Sequence, residues 1–230
     1  MTKNVIVKAL SEGRKSLLEH EAYELLSSYN IPVCKHKLVS SLDDALKAAE
    51  EIGYPIVLKI VSPDIIHKSD VGGVKVNISN DKQLKEEYGL LLNDVKSNVP
   101  NARIVGVLVM QMAPKSVEVV VGMLRDPTFG PTVMFGLGGV FVELMKDVVF
   151  RLAPLTKEEA LEMIKKIKGY PLLAGFRGSK PLDINSLAEL ISTVSKIGVE
   201  VQEIDQMDLN PIIVYEKGFL IVDARIILRS

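Results

Sequence analysis

The chain has 230 residues, enough to bury one large core or two smaller ones. Its formal net charge of −1, with 25% charged residues and no acidic tail, offers no basic face for nucleic acid, and aromatic residues at 5% without Trp argue against a base-stacking platform. The single cysteine, Cys34, rules out an intramolecular disulfide and suits a reducing cytoplasm; with apolar runs too short to span a bilayer and an N-terminus unlike a secretory signal, the expectation is a soluble cytoplasmic protein.

After a frayed start, Ser11 precedes a helix expected over 12–29, where Leu17, Leu18, Ala22, Leu25 and Leu26 recur at helical spacing and Asn30-Ile31-Pro32 makes the stop. His36–Val39 reads as a strand. Ser40 or Ser41 caps a helix over Leu42–Ile52, closed by Gly53. Pro55–Val61 and Val74–Ile78 read as neighbouring strands around a polar loop, and Asp81 to about Lys96 as a helix. Strands are expected over 103–112 and 116–124, joined by Ala113-Pro114-Lys115, where the rhythm of the chain changes. Beyond it come strands over 131–135 and 148–153, a glycine loop at 136–139, and helices over 157–166 and 184–197 flanking the loop GFRGSKPLD. Strands over 203–208, 211–214 and 219–227 close the chain, the last two as a hairpin around 216–218. The reading is two α+β lobes, divided as 1–110 and 111–230, with a hinge near 110–115 and a ligand cleft between them.

Several residues stand out chemically. Lys59 lies within a strand where Val or Ile would be ordinary. It is either a counter-charge for a phosphate or a lysine whose head reaches water. His67 in the loop is either a nucleophile or proton carrier, or a solvated histidine. The sequence Gly136-Leu137-Gly138-Gly139 follows a strand, but no helix and no acidic residue about twenty positions on complete a dinucleotide fingerprint; it is a phosphate-approach loop or a tight turn. Asp208 and Asn210 are two apart in a strand and so share a face, with Asp223 expected opposite. One carboxylate and one amide with room for water suit Mg²⁺; Asx-Pro turn chemistry is the alternative.

The segments LLSSYNIPV, IGYPIVLKI, SPDIIHKSDVGGV, FGLGGVFVELMKDVVFRLAPL, LLAGFRGSKPLD and MDLNP with LIVDARI occur in unbroken order from about Leu10 to Ile227. Together they closely resemble the β subunit of ADP-forming acetate–CoA ligase, an ATP-grasp member of the acyl-CoA synthetase superfamily related to the β chain of succinyl-CoA synthetase. The resemblance implies an ATP-grasp fold of two subdomains gripping ATP or ADP with Mg²⁺. It implies a reaction in which acyl-CoA, ADP and phosphate give acid, CoA and ATP through phosphohistidine. It also implies a CoA-binding α subunit as partner, in an α₂β₂ assembly, which handles CoA, acid and phosphate.

Carried onto this sequence, the resemblance makes His67 the phosphoryl carrier and Asp208 the acid that orients it. Asp208 stands where the succinyl-CoA enzyme has Glu. Lys59 becomes the contact to nucleotide phosphates, Gln111 and Met112 the backbone beside adenine, Glu118 a ribose or outer metal contact, and Asn210 and Asp223 the Mg²⁺ ligands. Glu143, Arg151 and Arg177 lie in family-like segments without a fixed role; for Arg177, a phosphate, a partner or a surface ion pair are the options. A loop over 62–73 with arms of about five residues, each spanning about 16 Å, would sweep on the order of 20 Å, hinged at Ser62-Pro63 and Gly72-Gly73. Two other readings remain: an ATP-grasp ligase with no histidine carrier, and a nucleotide-sensing module without catalysis.

Overall fold

In the computed structural model, residues 2–139 and 147–229 are described. The chain divides into two compact units. The smaller holds Leu18–His20 and Cys34–Ala113; the larger holds Met1–Leu17, Glu21–Val33 and Pro114–Ser230. The first 33 residues, which the sequence reading put in the first lobe, therefore group mostly with the C-terminal part.

The smaller unit is a four-stranded antiparallel sheet with two helices on one face. Strands β1 (His36–Val39), β2 (Ile56–Val61), β3 (Val74–Ile78) and β4 (Gly106–Gln111) take the order β1-β4-β2-β3. In chain order α1 (Thr2–Ser11) and α2 (Glu19–Ser28) come first and belong to the larger unit but for the start of α2, so the helices here are α3 (Leu42–Ile52) and α4 (Asp81–Asn98). Ser41 caps α3 by accepting from the Asp44 amide, and Asn80 caps α4 through Gln83. Ala45, Ala48 and Ala49 of α3 and Leu84, Leu91 and Val95 of α4 bury against Ile56, Leu58, Ile60, Val107 and Val109 of the sheet. Small alanines on α3 let the helix lie close to the strands, while β2 and nearly all of β4 are buried on both faces, as a continuous β-branched run requires.

The larger unit is built on a six-stranded antiparallel sheet. β5 (Val117–Asp126), β6 (Gly130–Leu137), β7 (Val148–Leu152), β8 (Ile204–Val214), β9 (Phe219–Ile221) and β10 (Ala224–Leu228) run in the order β10-β8-β5-β6-β7, with β9 paired to β8. The expected strands 203–208 and 211–214 are one strand, because Leu209 and Ile212 keep their ladder partners on β5 on either side of Asn210-Pro211. The expected strand 219–227 is two, parted at Val222-Asp223, where the Val222 amide donates to Pro211 and the Asn210 amide to Asp223. Helices α5 (Lys157–Lys165) and α7 (Ile184–Glu200) pack together, tied by Ser192 Oγ and Ser195 Oγ to the backbone of Leu155. A short helix that the sequence did not signal, α6 (Tyr170–Ala174), starts where the Asp147 carboxylate accepts from the amides of Lys168 and Gly169.

The N-terminus departs most from expectation. Helix α1 covers Thr2–Ser11 and α2 only Glu19–Ser28, so the single helix over 12–29 does not form. Lys15 and Leu17 are instead taken up as backbone partners of β10: the Leu17 amide donates to Ile226 and the Leu228 amide to Lys15. Arg14, turned inward, makes a two-pronged pair with Glu21 at 2.6 and 2.8 Å, both side chains nearly buried. The Tyr23 hydroxyl donates to Val222. None of the helices in the described residues is long and apolar enough to cross a membrane.

Glu21→Ala leaves the buried Arg14 guanidinium with Glu12 and the Ser16 carbonyl, and should lower unfolding free energy by about 3 kcal/mol, the lower end for a broken buried pair. Glu12→Ala, at an exposed partner, should cost under about 1 kcal/mol. Urea unfolding of the two variants checks this; equal losses contradict it.

Candidate active site

The candidate residues fall into two groups, one in each unit. In the smaller unit Lys59 is the fourth residue of β2 and is buried, so it does not reach water. Its ammonium lies 2.6 Å from Glu19 Oε1, at the start of α2, and Lys68 Nζ lies 2.8 Å from the other oxygen of the same carboxylate. Glu19 is 2% exposed at its side chain. Desolvation pushes its carboxyl up, but the two lysine charges outweigh it and hold it below the ordinary glutamate value. Two ammonium groups thus share one buried carboxylate, and ammonium groups of this kind can also meet a phosphate.

His67 directly precedes Lys68 and is exposed. The loop around it is tied down at several points. Asp64 accepts from the Arg103 amide at 2.7 Å, and Ile65 is part of the core. A 3₁₀ turn, Ser69–Val71, follows, and the Lys68 carbonyl accepts from the amides of Val71 and Gly73. Gly73 is needed there because a Cβ would sit 2.6 Å from Ile60 Cγ2 and 2.9 Å from that carbonyl. In this structure the 62–73 segment is docked, held by side-chain and backbone bonds. Cys34 is buried, and desolvation above all pushes its thiol up to about 11, the state of an inert structural cysteine. Gln111 pairs with Ile56 at the end of the sheet, but its amide donates to Lys35 and that of Met112 to Pro55, so both donors are already engaged by protein.

In the larger unit the alternation of β8 buries Met207 and Leu209 and turns Gln206, Asp208 and Asn210 to the exposed face. Asp223 sits beside Asn210 through the bond between its carbonyl and the Asn210 amide, 3.2 Å. Arg225, which the sequence reading passed over, lies opposite Asp208 in the β8–β10 ladder; its signal was its place two residues after Asp223 on a pairing strand. The Asp208 carboxyl is held above the ordinary aspartate value, first by the protein mass that displaces water around it and then by Asp223, with Arg225 opposing. It is exposed at its rim all the same, so the shift describes a crowded carboxylate rather than a sealed one. The like-charged Asp208 and Asp223 and the Asn210 amide form a donor set whose chemistry fits a hard cation completed by water and phosphate oxygens. Among the described residues there is no group of three or more His, Cys, Asp and Glu that would cage a metal without such help.

Glu118 is the exposed second residue of β5, and its carbonyl accepts from the Gly138 amide at 2.7 Å. A Cβ on Gly138 would meet Glu118 at 3.0 Å, so this glycine serves close packing at the end of β6. Arg151 donates to the carbonyl of Phe150, and Arg177, at φ 52°, lies 5.3 Å over the Phe176 ring. Glu143 lies outside the described residues.

The family of ATP-grasp domains matches residues 8–228. The β subunit of acetate–CoA ligase [ADP-forming] I from Pyrococcus furiosus is 52% identical over 226 residues, covering 98% of this chain and 97% of the relative. The chain belongs to the ATP-grasp β subunits of ADP-forming acetate–CoA ligases. Acetate–CoA ligase [ADP-forming] I of Archaeoglobus fulgidus is 46% identical across 97% of this chain, which spans only 32% of that longer protein. Acetyl-coenzyme A synthetase 1 of Ca. Korarchaeum cryptofilum superposes over 100% of both chains, at a TM-score of 0.97 and 55% identity in a complex with coenzyme A and Ca-AMPCP. A second structure of that protein, with coenzyme A and Mg-AMPPCP and its phosphohistidine segment pointing towards the nucleotide binding site, gives a TM-score of 0.88 at 50% identity over the same span.

Because folding raises the Asp208 carboxyl above its unfolded value, its contribution to stability is present below the ordinary aspartate range and is lost as pH rises through the folded value. Asp208→Asn should therefore melt at or above the wild type near pH 7, and the gap should close below about pH 3, where both side chains are neutral. Melting curves across that range test this; a variant less stable at pH 7 than at pH 3, relative to wild type, contradicts it.

Proposed function

We propose that this chain is the nucleotide-side β subunit of an ADP-forming acetate–CoA ligase, and that His67 carries the phosphoryl group to ADP. The observation that supports this most is the placing of an exposed histidine directly before Lys68, whose ammonium shares Glu19 with the buried strand lysine Lys59. The proposed carrier lies one residue from that shared pair.

The chemistry follows from the groups. The acyl phosphate gives its phosphoryl group to a first histidine on the α side; a neutral imidazole nitrogen of His67, the second carrier, then attacks that phosphorus, and the α-side imidazole leaves with the electron pair of the broken P–N bond. The phosphoryl group then meets a terminal β-phosphate oxygen of ADP, the P–N bond breaks, and the imidazole returns neutral. Lys59 offsets charge on the nucleotide phosphates, and Lys68 does the same for the phosphorylated ring. Asp208, kept crowded by Asp223, would accept a hydrogen bond from the imidazole and hold the ring in line. Asn210 and Asp223 would hold Mg²⁺, which when bound neutralises phosphate oxygens during transfer. Glu118 and the backbone at Gln111 and Met112 are the proposed nucleoside contacts. The two subdomains of the ATP-grasp reading would divide these roles, metal on one side and lysine and carrier on the other.

The relatives named as β subunits, and a longer relative that contains this chain's counterpart within one polypeptide, imply a partner. That partner is a CoA-binding α subunit that makes the acyl phosphate, in an α₂β₂ complex working in the cytoplasm, where Cys34 stays reduced.

With the α partner, Mg²⁺ and γ-labelled ATP, acid-labile and alkali-stable label should appear on this chain. His67→Ala should remove it and lower overall turnover by roughly three orders of magnitude or more, as for loss of a covalent nucleophile. Turnover that survives in His67→Ala with this chain unlabelled would sink the carrier role and favour a ligase that uses no histidine relay.

A further inference from the structure

Asp64 on the Arg103 amide, Ile65 in the core, Asn98 on the Val71 carbonyl and Lys68 on Glu19 hold the His67 segment to the smaller unit. The first three end on backbone and on apolar side chains. The last ends on a carboxylate that Lys59 also occupies, one oxygen to each ammonium, at 2.6 and 2.8 Å. Lys59 is fixed in the sheet by its place in β2, between ladder partners on β3 and β4. Lys68 rides on the segment, and its carbonyl receives the bonds that close the turn towards β3.

We propose that Glu19 is a positioning residue for phosphoryl transfer: it is the shared counter-ion through which an anion at Lys59 sets how firmly the His67 segment is held. The proposal rests on the phosphate role given to Lys59 above. A carboxylate placed between two ammonium groups divides its attraction between them, and in a buried site that division is worth far more than in water. Nucleotide phosphates that engage Lys59 compete with Glu19 for it, and the carboxylate turns its charge to Lys68. The segment is then held harder beside the nucleotide. A phosphoryl group on His67 acts in the opposite sense: it brings roughly −2 of charge, by analogy with other phosphorylated side chains, next to Lys68 and draws that ammonium off Glu19. Glu19 keeps Lys59 in the meantime. Nucleotide tightens the tie and phosphorylation loosens it. By linkage the coupling is reciprocal, and a segment held by Glu19 raises nucleotide affinity by the same factor.

The test is amide hydrogen exchange on the purified full chain, read at Val71, Gly72 and Gly73, whose amides close the turn on the carbonyls of Lys68 and Ser69. Saturating Mg·ADP should slow exchange at these amides in the wild type by roughly five- to tenfold, the lower end for coupled sites. In Glu19→Gln the three amides should exchange on the order of tenfold faster, with the amides of α4 unchanged, and Mg·ADP should no longer slow them. Lys68→Met leaves Lys59 paired with Glu19 and should free the same three amides; adding Glu19→Gln to it should change them no further. Should Glu19→Gln not fold, Lys68→Met carries the comparison, since it too must lose the Mg·ADP effect. The proposal is overturned if wild-type exchange ignores Mg·ADP, if the variants exchange as wild type does, if the whole unit loosens together, or if Mg·ADP still slows the segment without Glu19 or Lys68. The carrier role of His67 stands or falls separately, on phosphate labelling of the wild type.

Discussion

One buried carboxylate, Glu19, makes the smaller unit chemically workable. A lysine in the middle of a fully buried strand carries a desolvation cost of several kcal/mol unless an opposite charge comes with it. Glu19 meets that need for Lys59 and extends a second oxygen to Lys68. Through that one side chain the strand-borne cation, the start of α2 and the histidine segment become a single electrostatic unit. Two bases meet one acid there, so the cluster is a shared ion pair rather than a simple one.

The larger unit solves a different problem. Its site residues are held by ladder geometry: Asp208 and Asn210 share the exposed face of β8, and Asp223 and Arg225 come from the facing chain. Rigid strands suit groups that position a metal and phosphates, where small displacements are costly. His67 sits instead on a loop, docked by Asp64, Ile65, Val71 and Lys68. Like-charge crowding between Asp208 and Asp223 is tolerable in a structure open to solvent and is relieved by a cation.

Much of this was legible in the sequence because local rules agreed with the fold. The caps of α3, the limits of β3 and the shared face of Asp208 and Asn210 follow from side-chain chemistry and strand period alone. What escaped was non-local. Glu19 looks like any charged residue at a helix start, and its partner lies 40 positions away. The segment after α1 has helical apolar spacing, yet backbone bonds to β10 outweigh that propensity. Asp147 gives no sign that its carboxylate will cap the start of α6. The glycines at 136–139 left a phosphate-approach loop and a tight turn both open, and nothing local showed that Gly138 would pack on the backbone of Glu118. The family resemblance supplied roles for His67 and Lys59, but not the acid that joins them.

The central claim is that phosphate passes through this chain on its way to ADP, and a single-turnover chase tests it most directly. The labelled complex is freed of nucleotide, mixed rapidly with Mg·ADP, and quenched at intervals while label is followed from protein into ATP. The account requires label to leave the chain and appear as ATP at a rate no slower than steady-state turnover, in equal amounts. Label that stays on the chain, or leaves more slowly than the enzyme turns over, would show the phosphorylated histidine to be a side product and would contradict the account.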